Sequence, residues 1–494
     1  MHRSGCGIPL AIQTGCGSTP LHPPSILWPE NGMCVMATDN LYIPPKPLSL
    51  WSVVALARVL WKGDGNLLEL LPAAAYRFDV GNLGYSRRST VLFNDPDAVR
   101  EIMRDAEGVF PKSDLMVSAL EHLIGDSIFV TDGARWKRQR AMIDPAFSHM
   151  RISHAFTAMQ SAVDEHLMSL RDKANSGEVF SLDLAMSHLT ADIICRTVFS
   201  TPLQSGVAVD VFEDFTLFEK SAVQVDVLRL IFKPAWSEFP QPPEVLNACE
   251  RIRHHLGVLV DSHLADPSGF DDIASSVIAA RDRDTGEPFS RKELIDQLGV
   301  FFLAGHETTA SVLTWAFYVL ADQPQWRERL RDEIGQVVGD GRMTFEHTRQ
   351  LPLTKAFFKE TLRLYPPITF MPRVATRETT IGGRRLRKGA LVMVAPWTLH
   401  RHAKWWTDPH AFRPERFLPE HEKELVQGAY IPFGQGPHTC VGAGFAQTES
   451  VLILAELVRH FDWTLAPGQT VRPAARMTTR PASQIMLHVD HRSM

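Results

Sequence analysis

The chain has 494 residues, 45% of them hydrophobic and 22% charged, with a formal net charge of −5. This length allows two to four domains, and the acidic balance, without a basic tail or repeat, argues against a nucleic-acid partner. No stretch approaches the roughly 18 uninterrupted apolar residues of a membrane span. The cysteines show no Cys-x-x-Cys spacing and follow no secretory signal, so neither zinc nor a disulfide framework is indicated. They are Cys6, Cys16, Cys34, Cys195, Cys249 and Cys440.

The beginning of the chain differs in composition from the rest. Residues 1–35 are rich in Gly, Pro, Ser and Cys and lack periodicity, and they contain Met33 and precede Met36. This predicts either a disordered leader or an upstream start assigned in error. The segment from Leu48 to Trp61 is apolar but short and contains Arg58, which predicts an amphipathic helix.

A basic cluster follows at Trp136-Lys137-Arg138-Gln139-Arg140. Trp136 and Arg140 are four residues apart, which places them on the same face of a helix. The planar guanidinium of Arg140 suits bidentate contact with a carboxylate. Arg138 is nearly opposite Trp136 on the helical wheel, so it is predicted to face solvent, and Lys137 and Arg138 are interpreted as a hydrated surface.

The middle of the chain carries helical patterns at Ala155 to Leu170 and at Leu182 to Phe199. A longer apolar pattern runs from Arg291 to about Ala321. Ser290, with Glu293 three residues later, is a capping box that predicts its start. Such a length with few charges predicts a helix that crosses the interior of the molecule.

This long pattern is interrupted by Ala304-Gly305-His306-Glu307-Thr308-Thr309. Gly305 lowers helix propensity, and Thr308 can bond back to a preceding carbonyl and bend the helix, which opens a groove. Glu307 and Thr308 can supply an acid and a hydroxyl for proton delivery. The alternative is a polar group satisfied within a core helix, and His306 taken alone is interpreted in that way.

Glu360 and Arg363 are three apart on a helix that Pro366 and Pro367 stop, so they share a face and can pair. Such a pair is usually a solvated surface feature of little energetic worth. Its position between the long helix and the cysteine loop favours a structural role instead. No catalytic role is assigned to it.

The most informative segment is Phe433-Gly434-Gln435-Gly436-Pro437-His438-Thr439-Cys440-Val441-Gly442, which leads into an apolar helical pattern from about Gly442 through Leu457. A cysteine in such a loop is suited to be a thiolate ligand of haem iron, since glycines let backbone N–H groups turn toward the sulfur. The positive N-terminal end of the helix favours the thiolate over the thiol. The alternative is a small buried cysteine in a turn.

The loop resembles the haem-binding signature of the cytochrome P450 family, Phe-x-x-Gly-x-(Arg or His)-x-Cys-x-Gly, at every fixed position. His438 stands where arginine is usual, so its charge depends on pH. The other three motifs resemble family elements in the same chain order, and the resemblance spans about Asp79 to the C-terminus. It implies a mainly α fold with small β-sheets, and one integrated haem domain over residues 36–494.

The resemblance also implies roles for individual residues. Cys440 is the expected axial ligand of haem b, the Trp-x-x-x-Arg helix and Arg373 are expected to contact its propionates, and Arg416 is expected to join Glu360 and Arg363. The complete expected cofactor-binding set is Trp136, Arg140, Arg373, Phe433, His438, Cys440 and Gly442. Expected pocket residues, which could equally be plain core, are Ile124, Ile128, Phe302, Ala304, Ile368 and Phe370.

The implied activity is that of a haem-thiolate monooxygenase, which inserts one oxygen atom of dioxygen into an apolar organic substrate. Gly-x-Gly-x-x-Gly and Cys-x₄-Cys-x₂-Cys runs are absent, so electrons are expected from a separate ferredoxin and its reductase. The chain start does not resemble the anchor and hinge of microsomal relatives, which implies a soluble, cytoplasmic, bacterial-type member. The alternatives are peroxygenase, dehydration or isomerisation chemistry and a non-catalytic haem sensor. The Glu307-Thr308 pair speaks against a peroxygenase and against a sensor.

Overall fold

A computed structural model of the chain describes residues 41–47, 51–62, 66–84, 88–204, 206–222 and 240–492. The chain divides into two compact units, Met1–Leu41 and Tyr42–Met494. The predicted leader at 1–35, the two methionines and the first three cysteines lie outside the described residues, so those predictions remain as they stand. Everything below concerns the second unit.

Its helices are α1 (Ser52–Lys62), α2 (Pro96–Arg104), α3 (Asp114–Ile124), α4 (Gly133–Ile143), α5 (His149–Ser176), α6 (Leu182–Phe199), α7 (Gly206–Ala222), α8 (Pro243–Ala265), α9 (Ile273–Ala279), α10 (Arg291–Asp322), α11 (Pro324–Val338), α12 (Pro352–Leu364), α13 (Pro396–Leu399) and α14 (Ala443–His460). The strands are β1 (Val80–Asn82), β2 (Thr90–Phe93), β3 (Phe180–Ser181), β4 (Met371–Val374), β5 (Thr379–Ile381), β6 (Arg384–Leu386), β7 (Leu391–Val394), β8 (Phe461–Leu465), β9 (Pro473–Ala475), β10 (Thr479–Pro481) and β11 (Met486–His491). In the part of the chain covered by these elements, we find no helix with the length and apolar character that crossing a membrane requires.

The long helix α10 lies at the centre of the unit. Its start is fixed by the predicted capping box, because the Ser290 side chain accepts from the Glu293 N–H and Glu293 Oε2 accepts from the Ser290 N–H at 2.8 Å. Most side chains from Leu294 to Leu320 are buried. The prediction of a helix crossing the interior is therefore confirmed, and α10 ends within a residue of the predicted position.

The described residues also form four small sheets. The largest has the order β1-β2-β7-β4, with β2 parallel to β7 and the other pairs antiparallel. The second has the order β3-β11-β8, and β5–β6 and β9–β10 are two-stranded. This confirms the mainly α fold with small sheets, and β4 carries Arg373 opposite Val392 of β7.

Other predicted helices are present with shifted ends. Helix α6 coincides with the predicted Leu182 to Phe199, whereas α5 extends beyond Ala155 to Leu170 until Gly177 ends it in the left-handed conformation. Helix α12 ends before the two prolines, as predicted. The apolar segment predicted at Leu48 to Trp61 forms α1, although residues 48–50 lie outside the described part.

Candidate active site

A cavity of about 290 Å³ lies between α10, α4, α6, the end of α12, β4 and the cysteine loop. Its wall is mainly apolar, as is usual for small-molecule sites. Cationic side chains gather on the wall near the cysteine loop. Those lining the cavity are Lys112, Arg140 and Arg373, together with His438.

The cysteine loop is held in one conformation by glycine. Gly436 has a φ of +75°, and a Cβ at this position would lie 2.7 Å from the Met103 carbonyl oxygen. The Cys440 N–H donates to the Phe433 carbonyl at 2.9 Å, which closes the loop. The positive φ and the close approach to the end of α2 both require a residue without a side chain at 436.

Cys440 lies on the cavity wall immediately before α14. Although Cys440 is exposed at the cavity wall, desolvation by the surrounding protein raises the pKa of its thiol above the ordinary value, while the Gly442 N–H and the charge of Arg140 act in the opposite direction. The predicted support from a backbone N–H is thus present at Gly442, but desolvation outweighs it. The thiolate needs a bound cation to form readily, and a coordinated metal ion deprotonates a thiol.

The predicted propionate contacts are brought to one part of the cavity. The Arg140 Nη1 donates to the Thr439 carbonyl at 2.5 Å, which joins α4 to the cysteine loop. Arg373 is 8% exposed, and burial lowers its pKa. Lys112, which our sequence reasoning missed, donates through Nζ to the Ile128 carbonyl at 3.0 Å, and burial lowers its pKa to about 7. A lone lysine in a loop leaves no pattern that would have identified it.

His438 stacks against Trp136, with 3.9 Å between the ring centroids. Burial, together with the charges of Lys112 and Arg373, lowers the pKa of His438 to about 3. Its Nδ1 is buried and has no hydrogen-bond partner among the described residues. His438 is therefore neutral in the protein alone, and it presents an unsatisfied polar atom beside the cationic side chains.

The α10 wall of the cavity is formed by Ala304, Gly305, Thr308 and Thr309. Thr308 Oγ1 donates to the Ala304 carbonyl at 2.7 Å, which is the predicted bond to a preceding carbonyl. A Cβ at Gly305 would lie 2.4 Å from Ile194 Cδ1 on α6. Gly305 therefore allows α6 to pack closely against α10, a steric role that the sequence did not suggest.

Glu307 does not lie on the cavity wall among the described lining residues. Its Oε1 accepts from Thr478 Oγ1 at 2.5 Å and from Arg480 Nε at 3.0 Å, and its Oε2 contacts the same guanidinium. Burial opposes ionisation, but Arg480 holds the pKa of Glu307 below its ordinary value. Thr308 is thus placed as expected, whereas Glu307 is turned away from the cavity and paired.

The predicted pocket residues divide into two groups. Ile128, Ala304, Ile368 and Phe370 line the cavity, whereas Ile124 and Phe302 do not. The expectation for these two is wrong: Ile124 is fully buried near Gly299, and Phe302 packs on Phe215 with ring centroids 4.3 Å apart. Phe302 is two residues before Ala304 and so points to the opposite side of α10. Apolar lining residues that the sequence did not single out include Met116, Phe129, Phe147, Ile194 and Phe301.

The expected structural lock is assembled beside the cavity. Glu360 and Arg363 are both fully buried and form two bonds of 2.7 Å, and Arg416 Nε lies 3.5 Å from Glu360 Oε1. The Arg413 N–H also donates to Glu360 at 2.7 Å. The pair is thus a buried network rather than a surface feature. Arg363 also donates to the carbonyls of His400, Pro409 and Ala411.

The contacts of Arg138 differ from its predicted position facing solvent. Its guanidinium lies 3.0 Å from Asp282 and 2.8 Å from Glu293, and it stacks over the Phe289 ring. Because Glu293 belongs to the capping box of α10, Arg138 ties α4 to the start of that helix. It is not a free surface charge, so the simple hydrated-face interpretation holds for exposed Lys137 and not for Arg138.

The fold is that of a mainly helical protein with one described apolar cavity, whose wall carries a cysteine and several cationic side chains, an arrangement that suits an anionic prosthetic group. The cytochrome P450 family profile matches residues 44–489, and the chain belongs to this family. It is therefore a P450 oxidoreductase, a class whose members carry haem with a thiolate ligand.

Several known proteins resemble the chain. Cyclooctatin synthase from Streptomyces melanosporofaciens is 28% identical over 414 residues, which cover 83% of this chain and 88% of the relative. Pentalenene oxygenase from Streptomyces avermitilis is 27% identical over 436 residues, covering 88% and 95%. The crystal structure of the cytochrome P450DA haem domain matches with a TM-score of 0.73 at 22% identity, covering 84% of this chain and 89% of that one. The structural match shows the shared fold.

Proposed function

We propose that this P450 is a haem-thiolate monooxygenase that places one atom of dioxygen into an apolar organic molecule. The observation that carries the proposal is that Cys440 and Thr308 line the same cavity, which is otherwise mainly apolar. Cys440 is the proposed axial ligand. The haem, when bound, supplies the redox chemistry that activates dioxygen.

The residues present fit haem b. Lys112, Arg140 and Arg373 suit the two propionate carboxylates, and the unsatisfied Nδ1 of His438 lies on the same wall. A pair of carboxylates among these cations would also raise the pKa of His438 and stabilise its protonated form. Trp136 stacks on His438 and fixes the ring against the cavity.

The other residues act on substrate and protons. The apolar wall excludes water and favours a substrate without charge. Since Thr308 Oγ1 gives its own proton to the Ala304 carbonyl, its lone pairs are left to accept a hydrogen bond at the cavity. Thr308 is thus the proposed hydroxyl of the proton path, and Glu307 is the proposed acid once it leaves Arg480.

For the substrate we propose a cyclic hydrocarbon or its simple alcohol. The relatives' names specify pentalenene, for the oxygenase described above, and cyclooctat-9-en-7-ol, for a 5-monooxygenase from Streptomyces melanosporofaciens that is 29% identical to this chain. The apolar lining of this cavity suits compounds of that class. Each candidate is added to the ferric enzyme, and a shift of the haem absorption spectrum identifies the compounds that bind. The proposal fails if reduced, carbon monoxide-bound protein shows no thiolate-type spectrum.

We propose a ferredoxin and its reductase as electron donors and a cytoplasmic location. Turnover of an identified ligand with this pair and dioxygen supports monooxygenase chemistry. Because Glu307 is held by Arg480 in the structure, a peroxygenase remains the second candidate function. The peroxygenase function would be favoured if product forms efficiently with hydrogen peroxide alone and does not form with the ferredoxin pair.

A further inference from the structure

His306 lies in a contact between α10 and α7 that the proposed function does not use. It is 1% exposed, and its Nε2 lies 3.1 Å from Glu219 Oε1 on α7. Its Nδ1 lies 2.8 Å from the Phe302 carbonyl. The rings of Phe212 and Phe215 on α7 pack beside it. His306 is therefore a bridge between two helices, and not only a satisfied polar group in the core.

The hydrogen bonds indicate the state of the ring. A carbonyl oxygen can only accept, so Nδ1 carries a proton, and Nε2 faces a carboxylate oxygen. If Glu219 is ionised, the contact of Nε2 with Glu219 Oε1 is an ion pair and His306 is an imidazolium. Burial opposes this charge, but Glu219 and then Glu307 raise the pKa of His306 above its ordinary value.

The charge balance of the surroundings supports the imidazolium. One carboxylate oxygen of Glu219, one of Glu307 and one ring nitrogen of His306 lie within 4.8 Å of one another. Two carboxylates this close cannot both ionise in a buried site without compensating cations. Arg480 is one such cation, and it also contacts Asp183 at 2.7 Å. Protonated His306 is the second, so Glu219, Glu307 and Asp183 share two positive charges, and burial together with the charge of Glu307 raises the pKa of Glu219 above its ordinary value.

A divalent cation is the other way to balance this cluster. However, the Arg480 guanidinium already contacts both oxygens of Glu307. A metal ion bound by the same carboxylate would have to displace it or lie against it. The arrangement therefore favours an imidazolium over a metal site.

We propose that His306 is a positioning residue: as an imidazolium it pairs with Glu219 of α7, and its charge near Glu307 helps to keep Glu307 on Arg480, away from the cavity. This rests on the proposed function, since it concerns the acid of the proton path. When His306 loses its proton, Glu307 is held only by Arg480 and by the Thr478 hydroxyl. Its carboxylate then binds a proton more readily and can turn toward Thr308, its neighbour on the cavity wall.

The pH dependence follows from the direction of the pKa shift. Because the pKa of His306 is raised in the folded protein, its protonation stabilises the fold below the ordinary histidine pKa of about 6.5. This stabilisation is lost as the pH rises through the folded value. The charged groups that face His306 are Glu219 on α7, Glu307 on α10 and Arg480 on β10, and α6 adds Asp183 through Arg480.

The test uses His306→Gln in the haem-loaded enzyme, since glutamine keeps a donor for the Phe302 carbonyl but carries no charge. The melting temperature and the fraction of electrons lost to hydrogen peroxide are measured between about pH 5 and 8. In the parent both quantities should change with pH through the His306 titration. In His306→Gln both should lose this component of their pH dependence.

Two further variants complete the experiment. Glu219→Gln should lose the same component, and it carries the test if His306→Gln does not fold. His188→Gln is the matched control, because exposed His188 packs on Phe212 near the same cluster and its pKa is lowered rather than raised. It should keep the parental profiles.

The proposal is overturned if His306→Gln or Glu219→Gln keeps the parental pH profile of melting temperature, or if His188→Gln loses it. It is also overturned if melting temperature responds as expected but peroxide loss does not, since His306 would then be only structural. The measurement of melting temperature does not require the enzyme to turn over a substrate. A failure of the monooxygenase proposal, seen as no oxidation of any ligand, is therefore distinguishable from a failure here.

Discussion

Replacing Gly436 by alanine tests how the cysteine loop is held against α2. The φ of +75° at this position should cost an L-residue about 1–2 kcal/mol. The added Cβ would also lie 2.7 Å from the Met103 carbonyl oxygen, and such overpacking costs about 1–3 kcal/mol more. We therefore expect Gly436→Ala to lower the free energy of unfolding by roughly 2–5 kcal/mol.

Gly177→Ala is the control for the backbone contribution. Gly177 ends α5 with a φ of 66° and a ψ of 22°, and no described atom lies within 4 Å of a Cβ built there. Its replacement should cost only the backbone part, about 1–2 kcal/mol. Urea unfolding of both variants, with haem content measured in the same samples, gives the difference.

We expect the loss in Gly436→Ala to exceed that in Gly177→Ala by about 1–3 kcal/mol. Haem content should fall only in Gly436→Ala, because that variant displaces the loop carrying Cys440. Equal losses of stability in the two variants, with full haem content in both, would refute the reasoning. The close approach of loop and helix would then have no energetic importance.

Three further predictions concern the haem site and its support. Cys440→His should abolish the thiolate-type spectrum of the reduced carbon monoxide complex, and an unchanged spectrum would exclude Cys440 as the ligand. Thr308→Ala should keep haem and ligand binding but divert electrons to hydrogen peroxide, measured as product per electron; equal yields in parent and variant contradict its role. Glu360→Gln, which leaves Arg363 buried without its ionic partner, should lower the urea unfolding free energy by about 3–5 kcal/mol. The control is Asp97→Asn, which removes a charge from a largely exposed ion pair and should change the unfolding free energy by less than about 1 kcal/mol. Similar losses of unfolding free energy in Glu360→Gln and Asp97→Asn would contradict the buried network.

The features that could be predicted from sequence are those with local signals. Ser290 and Glu293 define the start of α10 within four residues of chain, and the run from Phe433 to Gly442 carries its glycines beside its cysteine. Such patterns depend on neighbours along the helix or loop, so reading them needs no knowledge of the rest of the fold. The Glu360–Arg363 pair was foreseen for the same reason, although its complete burial was not.

The partners of Glu307 could not be predicted, because they come from distant parts of the chain. Arg480 is 173 residues away, and Thr478 is 171 residues away. Neither has a periodic relation to α10, and an acid next to a threonine looks the same whether it faces a cavity or an arginine. For Ile124 and Phe302 the difficulty is that α10 and its neighbours are apolar on several sides, so hydrophobicity does not reveal the face that meets the cavity.

The four-stranded sheet has a consequence for how the protein is made. Thr90 of β2 pairs with Leu391 of β7, and β7 in turn pairs with β4, which carries Arg373. Likewise, Ala475 donates to Asn66 across 409 residues of chain. Pairings of such long sequence separation form late, because loop closure must precede any gain from the contact. On the ribosome, the edge of β2 that later pairs with β7 therefore stays unpaired until most of the chain has emerged, which exposes the nascent chain to aggregation at that edge.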